Sequence, residues 1–130
     1  MGTRAATHRG RTGQSERDGL GISLAIVDAA GHVKSLVRMD NCGWLAPDIA
    51  LAKAYATAGF RRDTEPMLQR LKGKEVFATA LTSMSGGKVL LGQGGVLVTE
   101  DNEIIGAVGV SGATSEQDAE CAQAGVDSVK

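Results

Sequence analysis

The side chains in this sequence that are able to do chemistry are few, and most of them stand beside glycine. His32 ends an AAGH segment between two apolar runs, and Arg38, Asp40 and Cys42 follow shortly after it. Imidazole and thiolate are both ligand types for a metal ion. The commonplace reading of His32 is an exposed turn residue, and the functional one is a metal ligand. Cys42 divides the same way, between a reactive thiolate and a buried or incidental cysteine. Cys121 falls inside a helical pattern and reads as structural. No HExxH, CxxC or CxxCH spacing is present, so the sequence encodes no preformed zinc site.

Two glycine loops offer another kind of site. Ser85–Gly86–Gly87–Lys88 sets consecutive backbone N–H groups beside a lysine, and Ser111–Gly112–Ala113–Thr114 runs straight into a helix start. Either is an anion cradle for a carboxylate or phosphate, or an ordinary turn and cap. Neither is a P-loop, because GxxxxGK[ST] is absent. Arg38 and Lys53 supply charge toward a small acid if their elements converge; otherwise they pair with Asp40 or Asp48 on the surface. Asp28, Asp40, Asp63 and Asp118 offer carboxylates, but spacing does not set two of them face to face. Ser85 and Ser111 lack a nucleophile elbow. A hydrolase or isomerase using His32, Arg38 and Asp40 is the enzymatic reading these residues leave open.

The elements that position these residues follow from the apolar pattern. ISLAIVD, 22–28, and VKSLVRM, 33–39, are expected strands joined by a hairpin over Asp28–His32, with Gly31 free to take positive φ. APDIALAKAYATAGF, 46–60, reads as a helix, with Pro47 and Asp48 in its first turn and Ile49, Ala52, Ala56 and Phe60 at helical spacing. Thr64 is the expected N-cap of a short helix that carries Met67, Leu68 and Leu71 and stops at Gly73. KEVFATALTSM fits either a further helix or an extended segment. GVLVTEDNEIIGAVGV, 95–110, reads as a second hairpin turning at Asp101–Asn102, its Gly106 and Gly109 allowing close backbone approach. Thr114 with Gln117, or Ser115 with Asp118, caps a last helix that presents Ala119, Ala122 and Val126.

Two hairpins separated by helices favour an α+β domain with a mainly antiparallel sheet and helices packed on one face. The opposite face, still apolar, then needs a second layer or another subunit. With 130 residues there is room for one such domain. Residues 1–19 carry almost no large apolar side chain and are expected to stand apart as a disordered or divergent segment, His8 with them, leaving 20–130 as the domain. Eighteen glycines against two Phe, one Trp and one Tyr make the core thin, and a homo-oligomer, a dimer or higher even-numbered assembly, is expected to thicken it. A net charge of −1 gives no electrostatic basis for a nucleic-acid partner. No apolar run is long enough for a membrane span, and two cysteines fit a reducing, cytoplasmic setting.

The whole pattern resembles the GlcG/HbpS-like family. A strand ending AIVD, then AAGHVKSLVRMD, IALAKAYATAGF, SGG, GG and GAVGVSGATSEQDAECAQAG carry the resemblance over about residues 20–127. Gly106 to Gly125 is its most specific stretch, and the VD..G…R.D hairpin supports it. Relatives usually begin with a full helix, from which Thr3 to Gly19 departs. The resemblance implies a profilin-like layer arrangement, oligomerisation and, in some relatives, haem binding. On that footing His32 and Cys42 become candidate iron ligands, and Arg38 and Lys53 candidate partners for propionates. Ser85, Gly86, Gly87, Ser111 and Gly112 remain candidates for cofactor or small-carboxylate contacts. The readings are thus a haem- or small-ligand-binding accessory protein, a small-acid enzyme, and a structural oligomeric subunit without a ligand.

Overall fold

The computed structural model describes residues 21–112 and 114–128, so the 1–19 segment with His8 lies outside the described residues. β1 (Ser23–Asp28) and β2 (Val33–Arg38) form the first hairpin, and β3 (Gly95–Glu100) and β4 (Glu103–Ser111) the second. Between them lie α1 (Ala46–Phe60), α2 (Thr64–Arg70) and α3 (Glu75–Met84), and α4 (Ser115–Ser128) follows β4. The ambiguous KEVFATALTSM segment is therefore helical. The strand order is β2-β1-β4-β3, with antiparallel pairing throughout. Asp101 and Asn102 both take positive φ, 52° and 65°, as a two-residue type I′ turn requires. Gly31 does the same in the first hairpin at 85°.

Alternation along the strands divides the core in two. Ala25, Val27 and Ala107 cluster with Ala50, Ala54 and Ala58 of α1, which forms the helix layer on that face. Leu24, Val96, Val108 and Val110 belong to the alternate set and cluster with Cys121, Ala122 and Val126 of α4, which supplies the second layer. The side chains of Ala119 and Ser115 lie outside what the structure describes. The sheet-facing stripe of α1 is Ala50, Ala54 and Ala58; of Ile49, Ala52, Ala56 and Phe60, the set at the expected spacing, Ala52 and Ala56 are buried as well. Ile49 is half-buried and Phe60 is 40% exposed. The helix is apolar nearly all round, so periodicity does not select its face; close approach does. Gly109 meets the α1 backbone at Ala50 and Ala54, and only small side chains permit that separation.

Helix ends and sheet edges are closed by side chains. Thr114 and Gln117 form the first of the two capping registers. The Gln117 N–H donates to Thr114 Oγ1 at 3.2 Å, and the Thr114 N–H donates to Gln117 Oε1 at 3.1 Å. Asp63, not Thr64, is the N-cap residue of α2, and it makes no capping bond. Both side chains instead turn to edge strand β3. Thr64 Oγ1 accepts from the Gly95 N–H at 3.0 Å, and Asp63 Oδ1 accepts from the Leu97 N–H at 2.8 Å. Donors left open at an edge invite pairing with another chain, and these two are closed.

Candidate functional site

The first hairpin builds its own polar corner. Asp28 Oδ1 accepts from the backbone N–H of Ala30 at 3.0 Å and of His32 at 2.9 Å, and Oδ2 stands 3.3 Å from His32 Nδ1. The His32 backbone N–H does most to hold the Asp28 carboxyl below its ordinary value of 3.8; desolvation opposes it, and the Ala30 N–H and the imidazole add to it. A carboxylate at Nδ1 orients the ring and leaves Nε2 as its outward nitrogen, the arrangement that second-shell carboxylates give to metal-binding histidines. The His32 side chain is 79% exposed.

His32 opens onto a cavity of about 760 Å³. Ala29, Ala30, Gly31, Ala58, Gly59 and Val89 give it low walls, and Tyr55, Arg61, Ser85 and Lys88 complete the lining. Tyr55 comes from α1 and passes behind Gly31, where a Cβ would stand 3.9 Å from its ring. Arg61 sits at the left-handed C-cap of α1, φ 60°, which turns the chain out of the helix beside the cavity. Ser85 ends α3, and Lys88 follows the two glycines. The arrangement combines imidazole, phenol and two cations over a floor of small residues. It suits a flat, apolar ligand carrying acidic groups.

The nine candidate residues do not converge. His32 and Ser85 line this cavity. Gly86 and Gly87, at φ 71° and 82°, spend their N–H groups on the end of α3, donating to Ser83 O at 3.0 Å and Thr82 O at 2.9 Å. The loop is therefore a helix terminator, with Lys88 placed by it. Ser111 and Gly112 lie at the other end of β1, where Ser111 pairs with Ser23 and Gly112 packs near Cys42 Sγ. The two glycine loops thus do not face one another around a common ligand. Cys42 is buried, its Sγ 3.2 Å from Ser23 Oγ, and Arg38 donates to the Cys42 carbonyl at 2.9 Å, bracing the turn into α1.

Lys53 goes elsewhere again. Its Nζ donates to Asp118 Oδ2 at 3.0 Å and to the Val110 carbonyl at 2.9 Å, with both side chains almost wholly buried. It passes the end of β3 at Gly94, where a Cβ would come within 3.2 Å of Nζ. The pair joins α1 on one face to α4 on the other.

Tyr55 and Arg61 were not among the candidates from sequence. Tyr55 is the single tyrosine in the chain, set in an alanine-rich helix, and that is the only local signal for it. Arg61 carries none, because its role depends on a left-handed cap next to a distant hairpin.

Comparison with known proteins places this geometry. The family model described as "Haem degrading protein HbpS-like" matches residues 4–127. Protein GlcG of Escherichia coli strain K12 is 40% identical over 101 residues, covering 75% of this chain and 69% of GlcG. The crystal structure of a PduOC:heme complex superposes with a TM-score of 0.86 at 25% identity, covering 95% of this chain and 88% of the other. The crystal structure of a double mutant of Streptomyces reticuli HbpS superposes with a TM-score of 0.82 at 26% identity, covering 100% of this chain and 90% of the other.

Proposed function

We propose, on the premise that the chain belongs to the HbpS-like family, that it binds haem as an accessory protein, in the His32 cavity. The observation that carries this reading is the cavity itself, which sets an oriented imidazole beside a phenol and two cations. Those residues fit the group. His32 and Tyr55 are both axial-ligand types, and Arg61 and Lys88 suit propionates. The few aromatic residues of the chain are no obstacle, since alanine, glycine and valine supply the floor. When bound, haem supplies an iron centre whose properties follow from its axial ligand and the polarity around it. The protein's part is to present the imidazole, hold its Nδ1 through Asp28, and neutralise the acid groups.

Titration of hemin into the purified chain is expected to give a saturable Soret band. His32→Ala is expected to shift or remove that band. Asp28→Asn, which loosens the ring without deleting it, is expected to weaken binding about 10–100-fold. An unchanged band and affinity in both His32→Ala and Tyr55→Phe overturns the assignment of the site, and no band at stoichiometric hemin overturns haem binding.

The layer order α1, sheet, α4 supports the profilin-like reading, and two buried free cysteines support a cytoplasmic setting. Among the described residues no helix is long and apolar enough to cross a membrane. Exposed apolar side chains support an even-numbered homo-oligomer. Val76 is 87% exposed, Trp44 80% and Met84 75%, and α3 buries none of its residues. Sedimentation of the chain is expected to show an assembly that Val76→Glu with Met84→Lys reduces toward the monomer. A wild-type monomer throughout the micromolar range refutes it.

A further inference from the structure

The end of α1 and the turn that follows it serve two cavities. Gly59 and Arg61 line the His32 cavity, while Phe60 and Arg62 line a second one on the other side of the same turn. This second cavity has a volume of about 280 Å³. Its walls are Phe60, Met67, Leu71, Phe77, Leu81 and Leu91, drawn from α1, α2, α3 and the segment before β3. Among the described residues Arg62 and Arg70 are its two charged ones, and no carboxylate lines it.

Three features define what such a place accepts. First, its walls are apolar, and Phe60 and Phe77 remain 40% and 56% exposed, so a ligand body has surface to cover. Second, neither Arg62 nor Arg70 makes a side-chain hydrogen bond or ion pair with another described residue. Two guanidinium groups beside a pocket with no internal acid are complementary to an anion, and to a carboxylate above all. Third, the cavity is much smaller than the one proposed above for haem. Its size and lining suit a single aliphatic or aryl chain.

We propose that the cleft between α2 and α3 is a second ligand site, which binds an amphipathic monocarboxylate with its apolar body among Phe60, Phe77 and Leu81 and its carboxylate at Arg62 and Arg70. The site is separate from the haem reading and stands or falls without it. Because α3 buries no residue of its own, a ligand here also gives that helix a partner. Occupancy therefore stabilises the folded chain by mass action and protects the α3 amides from exchange.

The probe is octanoate, titrated into the full chain by calorimetry, with octan-1-ol and acetate as controls. Octanoate is expected to bind saturably, with slower amide exchange in 75–84. Octan-1-ol and acetate, each lacking one half of the recognition, are expected to bind at least about tenfold more weakly. Arg62→Gln with Arg70→Gln is expected to weaken octanoate by about tenfold or more while leaving the hemin titration unchanged. The paired arginines are exposed, so this variant is expected to fold, which its circular dichroism checks. Equal binding of octanoate and octan-1-ol, or octanoate binding unaltered in the double variant, overturns the proposal. So does a cleft that takes no octanoate, including one closed by a second copy of the chain, which sedimentation identifies. A lost hemin band with intact octanoate binding overturns only the haem reading.

Discussion

Replacing Lys53 by methionine is expected to lower the free energy of unfolding by about 3–5 kcal/mol, because it takes the ammonium away from the buried Asp118 carboxylate. The Lys53 and Asp118 side chains are 5% and 3% exposed and meet at 3.0 Å. Nothing from solvent replaces the ammonium cheaply there. The Val110 carbonyl loses its lysine donor as well. The double variant Lys53→Met with Asp118→Leu removes both charges, and a buried pair replaced by apolar groups is often close to neutral. It is therefore expected to recover most of the loss, leaving about 1 kcal/mol for the unpaired carbonyl. Urea unfolding of the four chains of this cycle measures the coupling directly. A loss below about 1 kcal/mol in Lys53→Met would show that water reaches the pair and that the two helix layers are held without it. The folded fraction of Lys53→Met is expected to keep its hemin band, since Lys53 does not line the His32 cavity.

That lysine also marks the boundary of what the sequence discloses. The extent of α1, its first-turn Pro47, the Asp101–Asn102 turn and the Thr114–Gln117 cap all depend on residues within a few positions of one another. Each was legible for that reason. His32 and Ser85 were both singled out from local chemistry, and the fold brings them to one cavity. Lys53 and Asp118 are 65 residues apart, and surface aspartates nearer in sequence looked like the lysine's partners. Only the fold passes an α1 side chain around the end of β3 at Gly94. Tyr55 shows the same limit: within its helix it is one more member of an apolar face, and it becomes a site residue only when the Asp28–His32 turn is laid beside it. The SGG loop failed in the opposite way. Its glycines were legible as conformationally special, but positive φ serves a helix terminator as well as an anion cradle, and the α3 carbonyls take the N–H groups.

One substitution made at two glycines is expected to give opposite signs, and the contrast tests how the first layer is packed. Gly109→Ala places a methyl group against the α1 backbone at Ala50 and Ala54, the latter nitrogen 2.7 Å away. Neither atom is the end of a flexible side chain, so the helix itself has to move off the sheet. Moving it loosens the packing of Ala25, Val27 and Ala107 against Ala50, Ala54 and Ala58, every one of them buried. Overpacking of this kind costs about 1–3 kcal/mol, and a backbone-to-backbone contact belongs at the upper end of that range or beyond it. Gly59→Ala, inside α1, meets no atom of the described residues within 4 Å and needs no positive φ. It is expected to stabilise the chain by about 0.4–1 kcal/mol, because alanine has less backbone freedom to lose on folding. Parallel urea unfolding of the two variants reads both values. If Gly109→Ala is as mild as Gly59→Ala, α1 rides further from the sheet than its alanine face implies. The small residues shared by α1 and β4 would then not set the spacing of the layers.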